Sequence, residues 1–169
     1  LPNVTIVPYT GSVAPFLHSP RYAQQGYVFS EPFVARHQGA RPRALLLSEI
    51  GFNPYTSVLV ATERLINENP DLVRRMVAAS IKGWERYFQD PQLTNAEINR
   101  RNPEMSLAIL AFGVDALRPL AVKPGEPFGA MTIERWTTLA RQLEDLGLIA
   151  SGSVPPAAAF TTRFLPANP

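Results

Sequence analysis

Residues 26–61 read GYVFSEPFVARHQGARPRALLLSEIGFNPYTSVLVA, and this stretch decides how the rest of the chain is read. It holds three short apolar runs with a β-branched and aromatic bias, 27–29, 44–47 and 57–61, which predict strands. Ser30-Glu31-Pro32 opens a brief helical piece between the first two. Residues 49–56, EIGFNPYT, are too rich in turn formers for either element and predict a crossing segment.

The Ser30-Glu31-Pro32 junction admits two readings. As a helix start, Ser30 caps with its hydroxyl, Glu31 places an anion at the positive end of the macrodipole, and Pro32 lacks only an N–H that would be orphaned there. As a binding site, it lies past the carboxyl end of a predicted strand, where open α/β sheets hold their ligands. A carboxylate in that place repels a bare anion and welcomes a hydrogen-bond donor.

Outward from this stretch, residues 4–9 (VTIVPY) alternate like a strand with Pro8 at its end or edge, and Thr10-Gly11-Ser12 turns into a helix expected over 13–25. Two strand-to-helix junctions, at Ser12 and at Ser30, thus follow closely and would open on one crevice if their strands are parallel neighbours. Toward the carboxyl end, Asn69-Pro70-Asp71 starts a helix over 70–88 with an apolar stripe through Val73, Val77, Trp84 and Phe88. Trp84 is read there as a core residue. A short helix is expected over 95–101, and Asn102-Pro103-Glu104 repeats the start signal before a helix to about 117. A Pro- and Gly-rich loop follows. Thr132 then caps a helix that Gly147 stops, and a last short helix over 156–164 leads into a Pro-ended tail.

GYVFSEPFVA, GFNPYTSVLVATERLI and ENPDLVRRMVAASIKGWERYFQDP, continued by NPEM, MTIERW and AAFTTRFL, resemble the substrate-binding proteins of ABC importers in the NMT1/THI5-like group, relatives of nitrate, sulfonate and taurine binders. The resemblance implies an α/β, type II periplasmic-binding-protein-like fold, here the end of its second lobe plus the helix-rich return part of its first. It divides the chain into 1–47 (second lobe), 48–56 (inter-lobe hinge) and 57–169 (first lobe). The function it implies is ligand capture by an extracytoplasmic, periplasmic solute-binding protein, exported or lipid-anchored. No turnover is expected, nor any cofactor. The expected partners are a small-molecule ligand and an ABC permease of the inner membrane, and the full-length protein is expected to be monomeric.

Composition agrees with a soluble globular segment. Sixteen basic against fourteen acidic residues leave a net charge of +2, too little for a nucleic-acid footprint. The absence of cysteine excludes disulfides, thiolate metal sites and cysteine nucleophiles within the stretch. His18 and His37 have no partner at metal-ligand spacing, and no phosphate loop, GxSxG or HExxH pattern occurs. Glu31 and Glu49 flank the expected crevice as a carboxylate pair, which serves acid–base catalysis or ligand amines equally well.

The candidate ligand-binding residues are therefore Ser12, Ser30, Glu31, Asn53, Tyr55 and Thr56. Tyr55 offers a ring for stacking, Asn53 both a donor and an acceptor, and Glu31 only acceptors. This set suits a planar heterocycle bearing amino groups, such as a thiamine-type pyrimidine, better than nitrate or a sulfonate. Two other readings stand beside it: a pyrimidine-biosynthesis enzyme of the THI5 type, and the ligand-sensing domain of a transcription regulator. The later helices also carry more apolar stripe than the predicted strands can cover.

Overall fold

A computed structural model describes residues 2–166 of the chain, so the last residues of the Pro-ended tail lie outside the described part. Among the described residues seven α-helices are found in order: α1 (Ala14–His18), α2 (Glu31–His37), α3 (Glu63–Glu68), α4 (Pro70–Gln89), α5 (Gln92–Arg101), α6 (Leu107–Ala121) and α7 (Ile133–Asp145). Two 3₁₀ turns, Leu47–Ile50 and Pro156–Ala158, complete the regular structure. No helix among the described residues is long and apolar enough to cross a membrane.

The described residues contain no β-strand, so the α/β expectation is met only in its helical half. Each predicted strand gives way for a local reason. Residues 27–29 form a turn, closed by the Ser30 amide donating to the Tyr27 carbonyl at 2.9 Å, with the Tyr27 and Phe29 rings stacked at 5.1 Å. The run 44–47 passes into the 3₁₀ turn Leu47–Ile50, which Gly51 ends at φ 87°, a conformation that needs glycine. Residues 4–9 and 57–61 keep the strand composition but have no neighbouring ladder, and they leave Ile6 92% and Val60 86% exposed. A strand is a paired object, and pairing is what these runs lack.

The helix signals fare better. Pro70 opens α4 as its first residue, although the Asn69 side chain makes no capping bond. Thr132 does cap α7, its hydroxyl accepting from the Arg135 amide at 3.4 Å, and Gly147 follows that helix at φ 68°. α1 is much shorter than the 13–25 expected. Ser19 precedes Pro20 and is extended, and the His18 ring takes up the Ala14 carbonyl at 2.8 Å. The start signal at Asn102 makes a turn instead, its side chain accepting from the Glu104 amide, and α6 begins only at Leu107. The last predicted helix, 156–164, survives only as the 3₁₀ turn Pro156–Ala158.

The chain forms two compact units. The first comprises the residues up to Ala44 with Pro91–Leu120; the second comprises Leu45–Asp90 with the residues from Ala121 on. In the first, Phe33 of α2 meets Phe112 of α6 at 5.1 Å. Gly113 lets α6 approach closely, since a methyl group there would lie 3.3 Å from the Phe29 carbonyl oxygen. Ala35, Ile109, Leu110 and Val114 are buried around this contact.

In the second unit, α3 packs on α4, and Val73, Phe88 and Phe164 are buried. Trp84 is not the core residue that its stripe predicts. It is 43% exposed, against 4% for Phe88, and its ring leans on Tyr87 and Phe88 of its own helix. Phe88 takes the core position, where its ring also meets Phe128 at 6.3 Å.

Candidate functional site

The six candidate residues fall into two groups, three in each unit. Ser12, Ser30 and Glu31 belong to the first unit; Asn53, Tyr55 and Thr56 belong to the second.

In the first unit, Glu31 is the first residue of α2 and half-buried. Its carboxylate is already engaged. One oxygen accepts from the Tyr27 amide at 2.7 Å, the other from the Tyr9 hydroxyl at 2.9 Å. A hydroxyl bonded to a carboxylate resists ionisation, so Tyr9 titrates above the ordinary 10.0, chiefly through this bond and less through desolvation and the neighbouring charge. Glu31 thus ties the extended segment 4–9 and the 27–30 turn to the start of α2. An ionised carboxylate has about four lone-pair positions, so two remain for a further donor. Ser12 is exposed and its hydroxyl accepts from the Ala14 amide at 3.1 Å. Ser30 holds the N-cap position, but its hydroxyl makes no capping bond.

In the second unit, Gly51 to Tyr55 lies along α7. The Arg135 guanidinium donates through Nε to the Asn53 carbonyl at 2.5 Å, and through Nη2 to Asn53 Oδ1 at 2.8 Å and the Pro54 carbonyl at 2.9 Å. Its carbon sits 4.0 Å over the Tyr55 ring. The Tyr55 hydroxyl accepts from the Thr132 amide at 2.9 Å, and Gln142 donates to the Gly51 carbonyl at 2.9 Å. Behind Tyr55 the rings continue to Trp136 at 5.7 Å, and from there to Phe160, stacked at 5.5 Å. An open cavity of about 280 Å³ lies beside this contact, lined among others by Asn53, Thr138 and Gln142. Thr56, beyond the contact, is exposed.

Sequence reading selected Asn53 and Tyr55 but missed Arg135, Thr132 and Gln142. The signal was their spacing: Arg135 and Gln142 stand seven residues apart, two helical turns on one line of α7. Glu49 lies exposed in the 3₁₀ turn of the second unit, whereas Glu31 lies in the first. His18 and His37 are exposed, and no group of three metal-ligating side chains occurs among the described residues.

A family profile described as NMT1/THI5 like matches residues 3–94, more than half of the chain. The chain belongs to the NMT1/THI5-like family. It is also similar to the riboflavin-binding protein RibY of Chloroflexus aurantiacus, at 27% identity over 155 residues. The alignment takes in 83% of this chain and 41% of RibY, so this NMT1/THI5-like chain spans about two fifths of that relative's length. No solved structure matches it. The profile covers Glu31, Asn53 and Tyr55, whereas Arg135 and Gln142 lie beyond it.

Proposed function

We propose that the chain is the carboxyl-terminal part of an extracytoplasmic solute-binding protein of an ABC importer, which captures a planar heteroaromatic nutrient between two lobes and releases it unchanged to an inner-membrane permease. The observation that carries this reading is the family membership, joined to a likeness over 83% of the chain to a protein named for binding riboflavin. In this reading the fold is α/β and type II periplasmic-binding-protein-like. The extended runs 4–9, 44–47 and 57–61 are its strands, paired in the full-length protein with chain beyond these residues. Residues 1–47 then close the second lobe, 48–56 form the hinge and 57–169 return to the first.

The candidate ligand contacts of the first unit are Glu31, through its remaining lone pairs, and the hydroxyls of Ser12 and Ser30; those of the second unit are the Asn53 amide group, the Thr56 hydroxyl and the edge of Tyr55. Donors on a heterocycle, such as the imide N–H of a flavin or the amino group of a pyrimidine, match the acceptors in this set. Closure is driven by the difference in ligand affinity between the closed and open forms, since only that difference shifts the equilibrium.

The test is titration of the full-length protein with riboflavin, a thiamine-type aminopyrimidine, nitrate and taurine. Binding of one heteroaromatic ligand, recovered intact, is the expected result. Binding of the anions alone, or chemical conversion of the ligand, overturns the proposal.

A further inference from the structure

The Gly51–Tyr55 tract has an unusual hydrogen-bonding problem, and α7 solves it. Asn53 precedes a proline and is therefore held extended, while Pro54 has no N–H to offer. Among the described residues no strand ladder takes up the tract's carbonyls. Arg135 of α7 donates to the Pro54 and Asn53 carbonyls and Gln142 to the Gly51 carbonyl, while the Tyr55 hydroxyl accepts from the amide of the N-cap Thr132, so tract and helix run in antiparallel order. Arg135 is the centre of this arrangement. One guanidinium serves two successive carbonyls and a side-chain oxygen while its carbon sits 4.0 Å over the next ring. The planar fork of arginine makes this possible, and the point charge of lysine does not.

We infer that Arg135 is a positioning residue that fixes the Gly51–Tyr55 tract in one conformation, and that this fixing sets the affinity for the heteroaromatic ligand. The second half of that statement rests on the function proposed above, where Asn53 and Tyr55 are ligand contacts. A tract already held in its binding geometry need not be ordered by the ligand, so the cost of ordering is not charged to binding. Loosening it lowers the population competent to bind, and the apparent affinity falls by that fraction.

The experiment uses the full-length protein and its Arg135→Lys form, with amide exchange at Thr132 and Phe52 and riboflavin and aminopyrimidine titrations in parallel. The Thr132 amide is held by the Tyr55 hydroxyl, and the Phe52 amide by the Leu47 carbonyl at 3.0 Å, so both report on the tract. Losing the fork should speed their exchange by about tenfold, the scale of one or two net hydrogen bonds, with the amides of α4 unchanged. Ligand binding should weaken by a similar factor.

Unchanged exchange at both amides overturns the inference. So does a loss of affinity without faster exchange, which would make Arg135 a ligand contact, and so does faster exchange with full affinity, which would cut the tract off from binding. If the wild-type protein binds neither ligand, the functional reading fails, and the exchange data decide by themselves whether Arg135 fixes the tract. Should Arg135→Lys fail to fold, Gln142→Ala frees only the Gly51 end, and faster exchange at Phe52 is then the required outcome.

Discussion

Replacing Glu31 by Gln separates a scaffold role from a ligand role at the residue where both are plausible on chemical grounds. The carboxylate accepts two hydrogen bonds, from the Tyr27 amide at 2.7 Å and from the Tyr9 hydroxyl at 2.9 Å. The isosteric amide keeps one acceptor oxygen and turns an N–H₂ toward the other donor, so one bond is lost and the other is no longer charge-assisted. Bonds to charged groups contribute about 1.5–3 kcal/mol when shielded, and partial exposure of this cluster reduces that to roughly 1–1.5 kcal/mol. That corresponds to about a tenfold increase in exchange of the Tyr27 amide.

The Tyr9 phenol gives a second readout, with a defined sign. Its pKa is raised above 10.0 because the bonded Glu31 carboxylate favours the protonated hydroxyl. The contact's contribution is therefore whole below about pH 10 and fades as pH rises through the raised value. In the Gln form Tyr9 should titrate closer to 10.0, read by NMR of the ring. An unshifted Tyr9 together with unchanged Tyr27 exchange would refute the scaffold role. A loss of ligand affinity in the Gln form without either structural change would place Glu31 against the ligand instead.

Two further outcomes follow from the described packing. Phe88→Ala should cost about 3–5 kcal/mol in denaturant unfolding, and Trp84→Ala distinctly less despite the larger side chain, because Trp84 is 43% exposed; the reverse order would show that Trp84 is the anchor. Arg100 first, and Arg101 second, hold the Glu97 carboxylate below its ordinary 4.5, so their attraction is intact above that pH and disappears as pH falls through the lowered value. Because the two arginines are largely exposed and Glu97 about half so, high salt should bring the Glu97 titration back toward 4.5 in a carboxyl-detected NMR experiment.

What the sequence made legible follows the reach of each interaction. Helix starts and stops are set within four residues, so Pro70 at α4, the Thr132 cap and the Gly147 stop were readable locally. Pro20, two residues past His18, was enough to shorten α1 from the helix expected over 13–25. Strands depend on a partner distant in sequence, and the runs 4–9 and 57–61 show that composition without pairing leaves only extended chain. Trp84 was misread because a helical stripe defines a face and not how much of it is covered. Tyr55 and Asn53 stood out by residue type, but Arg135, 82 positions from Asn53, could be linked to them only through the fold.

Bare, β-competent runs also set the conditions for handling this stretch of protein. Ile6 and Val60 are exposed on extended backbone that pairs in no strand among the described residues, and exposed, unpaired apolar runs are how chains join edge to edge. Recovery of the isolated stretch should therefore fall with rising protein concentration, as light scattering would read. A single gatekeeper such as Val60→Lys should keep it dispersed.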